Sequence, residues 1–318
     1  METQGRKTRA ALISVASNTT LTLLKLLVGI AIGSVGVLSE AIHSGIDLIA
    51  SVIALFAVRR SGRPADEEHP FGHGKVENIS GVAEALLIFV AAGWIIFEAV
   101  GKLRHPEPLE TIGWGVGIML LSAVANLWVS RMLFRVGKET ASVALQADGW
   151  HLRTDVFTSA GVMGGLALIV VGQRVFPALD LDWIDPMAGI VVALLIVRAA
   201  YRLTTDATRD LMDSSLADEE IWIRAHLADL KPSIRGYHKL RTRRAGNTRF
   251  VDVHVLLDSS THLDQAHEIS QKIEDAVRDR FPGTSLTVHM EPCDADCAPI
   301  CVQGCLLDPQ ERGSLTGR

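Results

Sequence analysis

The chain has 318 residues, a net charge of −5 and 48% hydrophobic residues, while aromatics make up only 5%. A mean hydropathy of +0.26 is high for a globular protein and ordinary for one that is half membrane. The acidic balance, with a pI near 6.1, leaves no electrostatic footprint for nucleic acid.

The first nine residues are polar and basic, and the apolar run after them is long enough to span, so no cleavable signal peptide is expected. A hydrocarbon core of roughly 30 Å needs about 20 helical residues. Six segments meet that length: Ala10–Ile32, Val35–Val58, Ile79–Val100, Ile112–Phe134, Val143–Val171 and Ile184–Leu203. Only Gly33 and Ser34 part the first two, which predicts a tight antiparallel hairpin.

Basic residues set the expected orientation. Arg6, Lys7 and Arg9 precede span one; Arg59, Arg60, Arg63 and Lys75 separate spans two and three; Arg131, Arg135 and Lys138 close span four. Arg198, Arg202 and Arg209 end span six, whereas the opposite side carries only Lys102, Arg104 and Arg174 among several carboxylates. The positive-inside rule then places both termini in the cytoplasm.

Two of these spans repeat one spacing, His43-x-x-x-Asp47 and His151-x-x-x-Asp155. Residues four apart share a helix face, so each pair presents an imidazole and a carboxylate to one spot. Facing helices would offer two nitrogens and two oxygens, a set that suits tetrahedral zinc. Ionisable residues in a span cost about 2.5–3.5 kcal/mol each even on lenient scales, which marks them as functional candidates. Polar glue between helices would explain a single such residue better than two matched pairs. Asn18 and Glu40 read instead as helix-packing or cavity-lining neighbours.

From about residue 206 the pattern becomes that of a soluble domain: helix, strand, strand, helix, strand. Leu216–Leu230 has Asp218, Glu219 and Glu220 in its first turn, where the helix dipole favours them. His238–Arg244 and Phe250–Leu257 flank the turn Ala245-Gly246-Asn247. Ala266, Ile269, Ile273 and Val277 form one helical face, which stops before Phe281-Pro282-Gly283; Ser285–Met290 is the last strand. Strand parity turns His254 away from Val251, Val253 and Val255, and turns His289 and Glu291 away from Leu286, Val288 and Met290. The fold class is therefore an α-helical membrane protein with six transmembrane helices plus a small cytoplasmic α+β domain, ferredoxin-like or metallochaperone-like. His105, His226 and His262 match no motif and read as surface residues.

Cys293, Cys297, Cys301 and Cys305 recur every four residues, but Pro292, Pro299 and Gly304 oppose a continuous helix. A cytoplasmic location disfavours disulfides. Two readings stay open, a thiolate metal site and a reduced, flexible tail.

Three motifs together resemble the cation diffusion facilitator family: Ser39-Glu40-Ala41-Ile42-His43-Ser44-Gly45-Ile46-Asp47, His69-Pro70-Phe71-Gly72-His73-Gly74-Lys75-Val76-Glu77 and Asp148-Gly149-Trp150-His151-Leu152-Arg153-Thr154-Asp155. The order of elements agrees over roughly residues 10–292, and the loop motif and tail look closest to the bacterial zinc and ferrous-iron exporters. The resemblance implies a homodimer in a bacterial inner membrane that exchanges a divalent cation for protons. It places the transport site on His43, Asp47, His151 and Asp155, and His43, where much of that branch has Asp, favours zinc over iron, with an iron(II), cadmium, cobalt or manganese exporter of the same mechanism as the alternative. It places a loop metal site on Asp66, His69 and His73, and a cytoplasmic site on His238, His254, His267, His289 and Glu291. Glu291 stands where the branch typically has Asp. Lys75 and Asp213 correspond to a charge interlock between protomers.

The expected divisions are a cytoplasmic segment 1–9, a transmembrane domain 10–208, a cytoplasmic metal-binding dimerisation domain 209–292 and a flexible tail 293–318. Zinc is the expected substrate and regulatory ligand. Enzyme chemistry is not expected: His267-Glu268-Ile269-Ser270-Gln271 lacks the second histidine of a metalloprotease helix, and no nucleotide-binding loop is present. A non-transporting metal-sensing scaffold is the competing class.

Overall fold

The computed structural model describes residues 2–32, 35–104, 114–175, 183–294 and 299–316. The chain divides into two compact units, 1–208 and 209–318.

The first unit is built from six long helices: α1 (Glu2–Ile32), α2 (Val35–Ser61), α3 (Val76–Arg104), α4 (Trp114–Glu139), α5 (Val143–Val175) and α6 (Ile184–Leu211), whose last turn enters the second unit. Among the described residues, Thr3–Ala31, Ala41–Ser61, Val76–Arg104 and Pro186–Leu211 are long and apolar enough to cross a membrane. Large apolar side chains such as Leu27, Val90, Trp94, Phe97, Val124 and Trp128 point outward and are exposed. The interior instead holds small and polar residues, among them Ser14, Asn18, Asp47, Glu77, Glu84, Asp148 and His151. A lipid-facing surface explains that inversion, because hydrocarbon solvates leucine and leaves polar groups to find one another. The hairpin residues Gly33 and Ser34, and His105, lie outside the described residues.

One ion pair inside this unit was not legible in the sequence. Lys7 and Glu77 are both fully buried, with Nζ 2.8 Å from Oε1. Ser61 donates to the same oxygen at 2.7 Å, and Ser142 donates to Oε2. Three helices, α1, α2 and α3, and Ser142 just before α5 thus meet on one carboxylate.

The second unit runs α7 (Ala217–Asp229), β1 (Gly236–Ala245), β2 (Thr248–Leu257), α8 (Leu263–Arg280), β3 (Thr284–Pro292), α9 (Pro299–Gln303) and α10 (Pro309–Thr316). The sheet order is β1-β2-β3, antiparallel between β1 and β2 and parallel between β2 and β3, with α8 as the crossover. Ala245 pairs with Thr248, so Gly246 and Asn247 form a two-residue loop. Gly246 takes φ +60 at its first position, as a type II′ hairpin requires. The core packs Ile223 and Leu227 of α7 and Ala266, Ile273 and Val277 of α8 against Val251, Val253, Val255 and Leu257.

Within residues 293–318, expected as a flexible tail, residues 299–316 carry the short helices α9 and α10 and meet the sheet. Gly304 accepts a hydrogen bond from the Tyr237 amide at 3.0 Å, and the Leu306 amide donates to Arg235 at 3.0 Å. This segment covers the outer edge of β1, whose backbone groups need partners. Only glycine fits at 304, since a Cβ there would collide with the Tyr237 carbonyl.

Candidate metal sites

Of the intramembrane residues, His43, Asp47 and Asp155 bring their donor atoms into one cluster, and His151 joins it through Asp47. His151 Nε2 lies 3.1 Å from Asp47 Oδ1, and His43 Nε2 lies 3.7 Å from Asp155 Oδ1. Each histidine therefore faces the aspartate of the other helix. The register follows from direction: residue 43 meets 155 while 47 meets 151, so α2 and α5 run antiparallel. Asp47 and His151 are buried, whereas His43 stands half open to a cavity of about 300 Å³. Lys25, Asn126, Thr158 and Glu98 also line that cavity.

Neighbours the sequence reading passed over hold these groups. Asn126 of α4 donates to Asp155 Oδ2 at 3.3 Å, and Lys25 of α1 donates to Ser44 at 2.7 Å. Both are polar residues within apolar helices, the signal that could have flagged them. Asn18 contacts the Asp47 carbonyl at 3.4 Å. The side chain of Glu40 lies outside the described residues.

In the loop between α2 and α3, Asp66, His69 and His73 come together. Asp66 lies 3.4 Å from His69 Nδ1 and 3.3 Å from His73 Nε2, and the two rings are 4.4 Å apart. The His69 amide donates to Asp66 Oδ1 at 2.8 Å. That backbone hydrogen bond, helped by the nearby His73 ring, holds the Asp66 carboxyl below its ordinary value.

In the second unit His238, His254 and Glu291 converge. His238 Nε2 and His254 Nδ1 each lie 2.7 Å from a Glu291 oxygen, and His289 Nε2 is 3.4 Å away. Partial burial pushes the Glu291 carboxyl up, but hydrogen bonds from His238 and His254 outweigh it and hold the group below its usual value. The parallel register sets His254 beside His289, and the antiparallel register sets it opposite His238.

A bulge makes that alignment possible. The β1 register slips between His238 and Arg241, and Lys239 takes φ +49. Thr242 and Tyr237 both face the core although one is even-numbered and the other odd. Without the extra residue His238 would turn inward.

His267 does not join this cluster: it is exposed on α8 and pairs with Gln271 at 3.1 Å. Cys293, Cys301 and Cys305 are half-buried, and Cys297 lies outside the described residues. Among the described residues, no metal-capable cluster contains a cysteine. Asp213 follows α6 at φ +55, with Arg243 at 3.5 Å, while Lys75 precedes α3 in the other unit.

Comparison with known proteins gives the family. Residues 11–212 match the family model described as cation efflux transmembrane domain, and residues 217–293 match the cation efflux protein cytoplasmic domain. The chain belongs to the cation diffusion facilitator family. It is 34% identical to the cation-efflux pump FieF of Klebsiella pneumoniae, over 93% of this chain and 95% of that one. An uncharacterized transporter of Synechocystis is 35% identical over 82% and 83% of the two chains. The metal-bound C-terminal domain of the CzcD transporter from Thermotoga maritima is 25% identical over 24% of this chain and 88% of that one, with a TM-score of 0.22. As a family member, the chain is a cation efflux transporter with a helical transmembrane domain and a cytoplasmic α+β domain.

Proposed function

We propose that this transporter exports zinc from the cytoplasm in exchange for protons, through His43, Asp47, His151 and Asp155. The observation that carries the reading is the cross-pairing of the two helices, His151 with Asp47 and His43 with Asp155. Two carboxylates offset the charge of a dehydrated dication, and two imidazoles supply nitrogen ligands at roughly 2.0–2.1 Å. Metal and proton compete for the same nitrogen and oxygen atoms, so each displaces the other. Because the ligands sit on two helices, their spacing changes when α2 and α5 shift, which lets one conformation bind the ion and another release it. Imidazoles in place of an all-carboxylate set favour zinc over manganese and iron, with cadmium and cobalt as alternatives.

The chain is read as six spans with both termini in the cytoplasm, forming a homodimer in a bacterial inner membrane. Its divisions are residues 1–9, 10–208, 209–292 and 293–318. His238, His254 and Glu291, with His289 at their margin, offer a donor set suited to a regulatory zinc ion. His267, exposed on α8, is available to a site completed across the dimer. Asp66, His69 and His73 offer a second set, and Lys75 and Asp213 serve as a charge interlock. Metal at these outer sites acts by raising the population of a transport-competent conformation.

Proteoliposomes under an imposed pH gradient test this reading. The parent should move zinc, and Asp47→Ala and Asp155→Ala should each lower the rate at least a hundredfold. Zinc flux that persists in both variants would overturn the assignment of the site.

A further inference from the structure

Glu84 and Asp148 are buried acidic groups that the transport reading does not use. Both are 0% exposed, Glu84 on α3 and Asp148 on α5. Neither Asp148 oxygen has a hydrogen-bond partner, nor does Glu84 Oε2; Glu84 Oε1 accepts only from Ser80 at 3.2 Å. Ala85 and Ala147, the residues next to them in sequence, pack in one buried cluster, and the two carboxylates are electrostatic neighbours. Ser14 of α1, itself fully buried, lies beside Asp148 within reach of its carboxylate. Three helices thus bring buried oxygens into one interior region.

Such an arrangement is costly while the carboxylates are charged. Unpaired buried oxygens lose their hydration without recovering it, and like charges side by side add to the cost. A cation satisfies all of them at once. The position says where that cation is going. Asp148 sits three residues before His151 on the same helix face, and both His151 and Asp47 are its electrostatic neighbours. Further toward the start of α3 lies the buried Lys7–Glu77 pair. The polar interior therefore runs in steps from Glu77 past Glu84 and Asp148 to the His–Asp site.

We propose that Glu84, Asp148 and Ser14 form a second intramembrane cation site, a waypoint for the divalent ion between the cytoplasmic end and the transport site. The inference rests on the transport reading for its direction, but not for the binding itself. An all-oxygen set holds hard dications and binds zinc less tightly than a set with imidazoles. An ion would thus pass downhill from the waypoint to His43, Asp47, His151 and Asp155.

Manganese is the probe, counted by paramagnetic resonance on the full-length protein in lipid nanodiscs. Glu84→Gln/Asp148→Asn, which keeps side-chain volume, should bind one Mn²⁺ fewer per protomer than the parent, whereas Glu84→Asp, which keeps both carboxylates, should bind as many as the parent. Zinc flux in the double variant should fall at least tenfold. Retained elution volume and retained zinc at the His238–His254–Glu291 cluster show that the variant is folded. An equal Mn²⁺ count would overturn the proposal; a carboxylic-acid infrared band in the metal-saturated parent, absent from the variant, would assign the pair a proton instead. Failure of the transport reading appears separately, as flux that survives Asp47→Ala and Asp155→Ala.

Discussion

Glu291 shows how one residue combines structure and chemistry. It receives His238 and His254 at 2.7 Å each, and its carboxyl is held below the ordinary value despite partial burial. A folded pKa below the unfolded one stabilises the domain above the unfolded value, and that stability is lost as pH falls through the folded value. With zinc chelated, Glu291→Gln should therefore cost about 1 kcal/mol at neutral pH, and the difference should vanish below the ordinary carboxylate range. Thermal unfolding across pH checks both the size and the sign. His254, His289 and Glu291 were legible from strand parity alone, because β2 and β3 are regular. His238 was not: its facing depends on the bulge at Lys239, and nothing in Lys239-Leu240 announces a positive φ. His267 illustrates the converse, since a residue type and a resemblance placed it at a cluster it does not touch within this chain.

At the scale of elements, the expected helices and strands all form, since their signals are local: long apolar runs, a Gly-Asn turn, a 3.6-residue face on α8. What the sequence hid are partnerships between elements far apart in the chain. Lys7 read as a cytoplasmic flanking charge, yet it is buried against Glu77, 70 residues on. Removing one member, as in Lys7→Ala, leaves an uncompensated buried carboxylate and should cost about 3–5 kcal/mol. Lys7→Met/Glu77→Gln should recover most of that, and unfolding of the detergent-solubilised protein measures the difference. The bulge makes a similar prediction for the second unit. Deleting Lys239 restores regular pairing and turns His238 inward, so zinc affinity at that cluster should fall to the level of His238→Ala, as calorimetry would read. At the covered edge of β1, Gly304→Val should cost about 1–3 kcal/mol, because the Tyr237 carbonyl has no room to give. Thermal unfolding of the second unit would show it, and an unchanged midpoint would mean that the edge is not bound this way.

For the whole molecule, the polar interior of the helical unit is the feature that makes transport physically intelligible. Outward-facing Trp94, Phe97 and Trp128 suit lipid, while Asp47, His151, Glu84 and Asp148 lie inside. The His–Asp spacing told which residues would meet, and the antiparallel run of α2 and α5 explains why they meet crosswise. The deeper carboxylates escaped notice because single acidic residues in a span carry no spacing signal; only the packing of α1, α3 and α5 brings them together. The central claim is that zinc and protons exchange on one set of atoms, so the decisive measurement records both ions at once. In sealed proteoliposomes holding a zinc indicator and a pH indicator, zinc entry and proton exit should start together and keep a fixed ratio. Both signals should disappear in Asp47→Ala and in Asp155→Ala. Zinc entry with no proton movement in the parent, or proton exit that survives loss of the aspartates, would contradict the account.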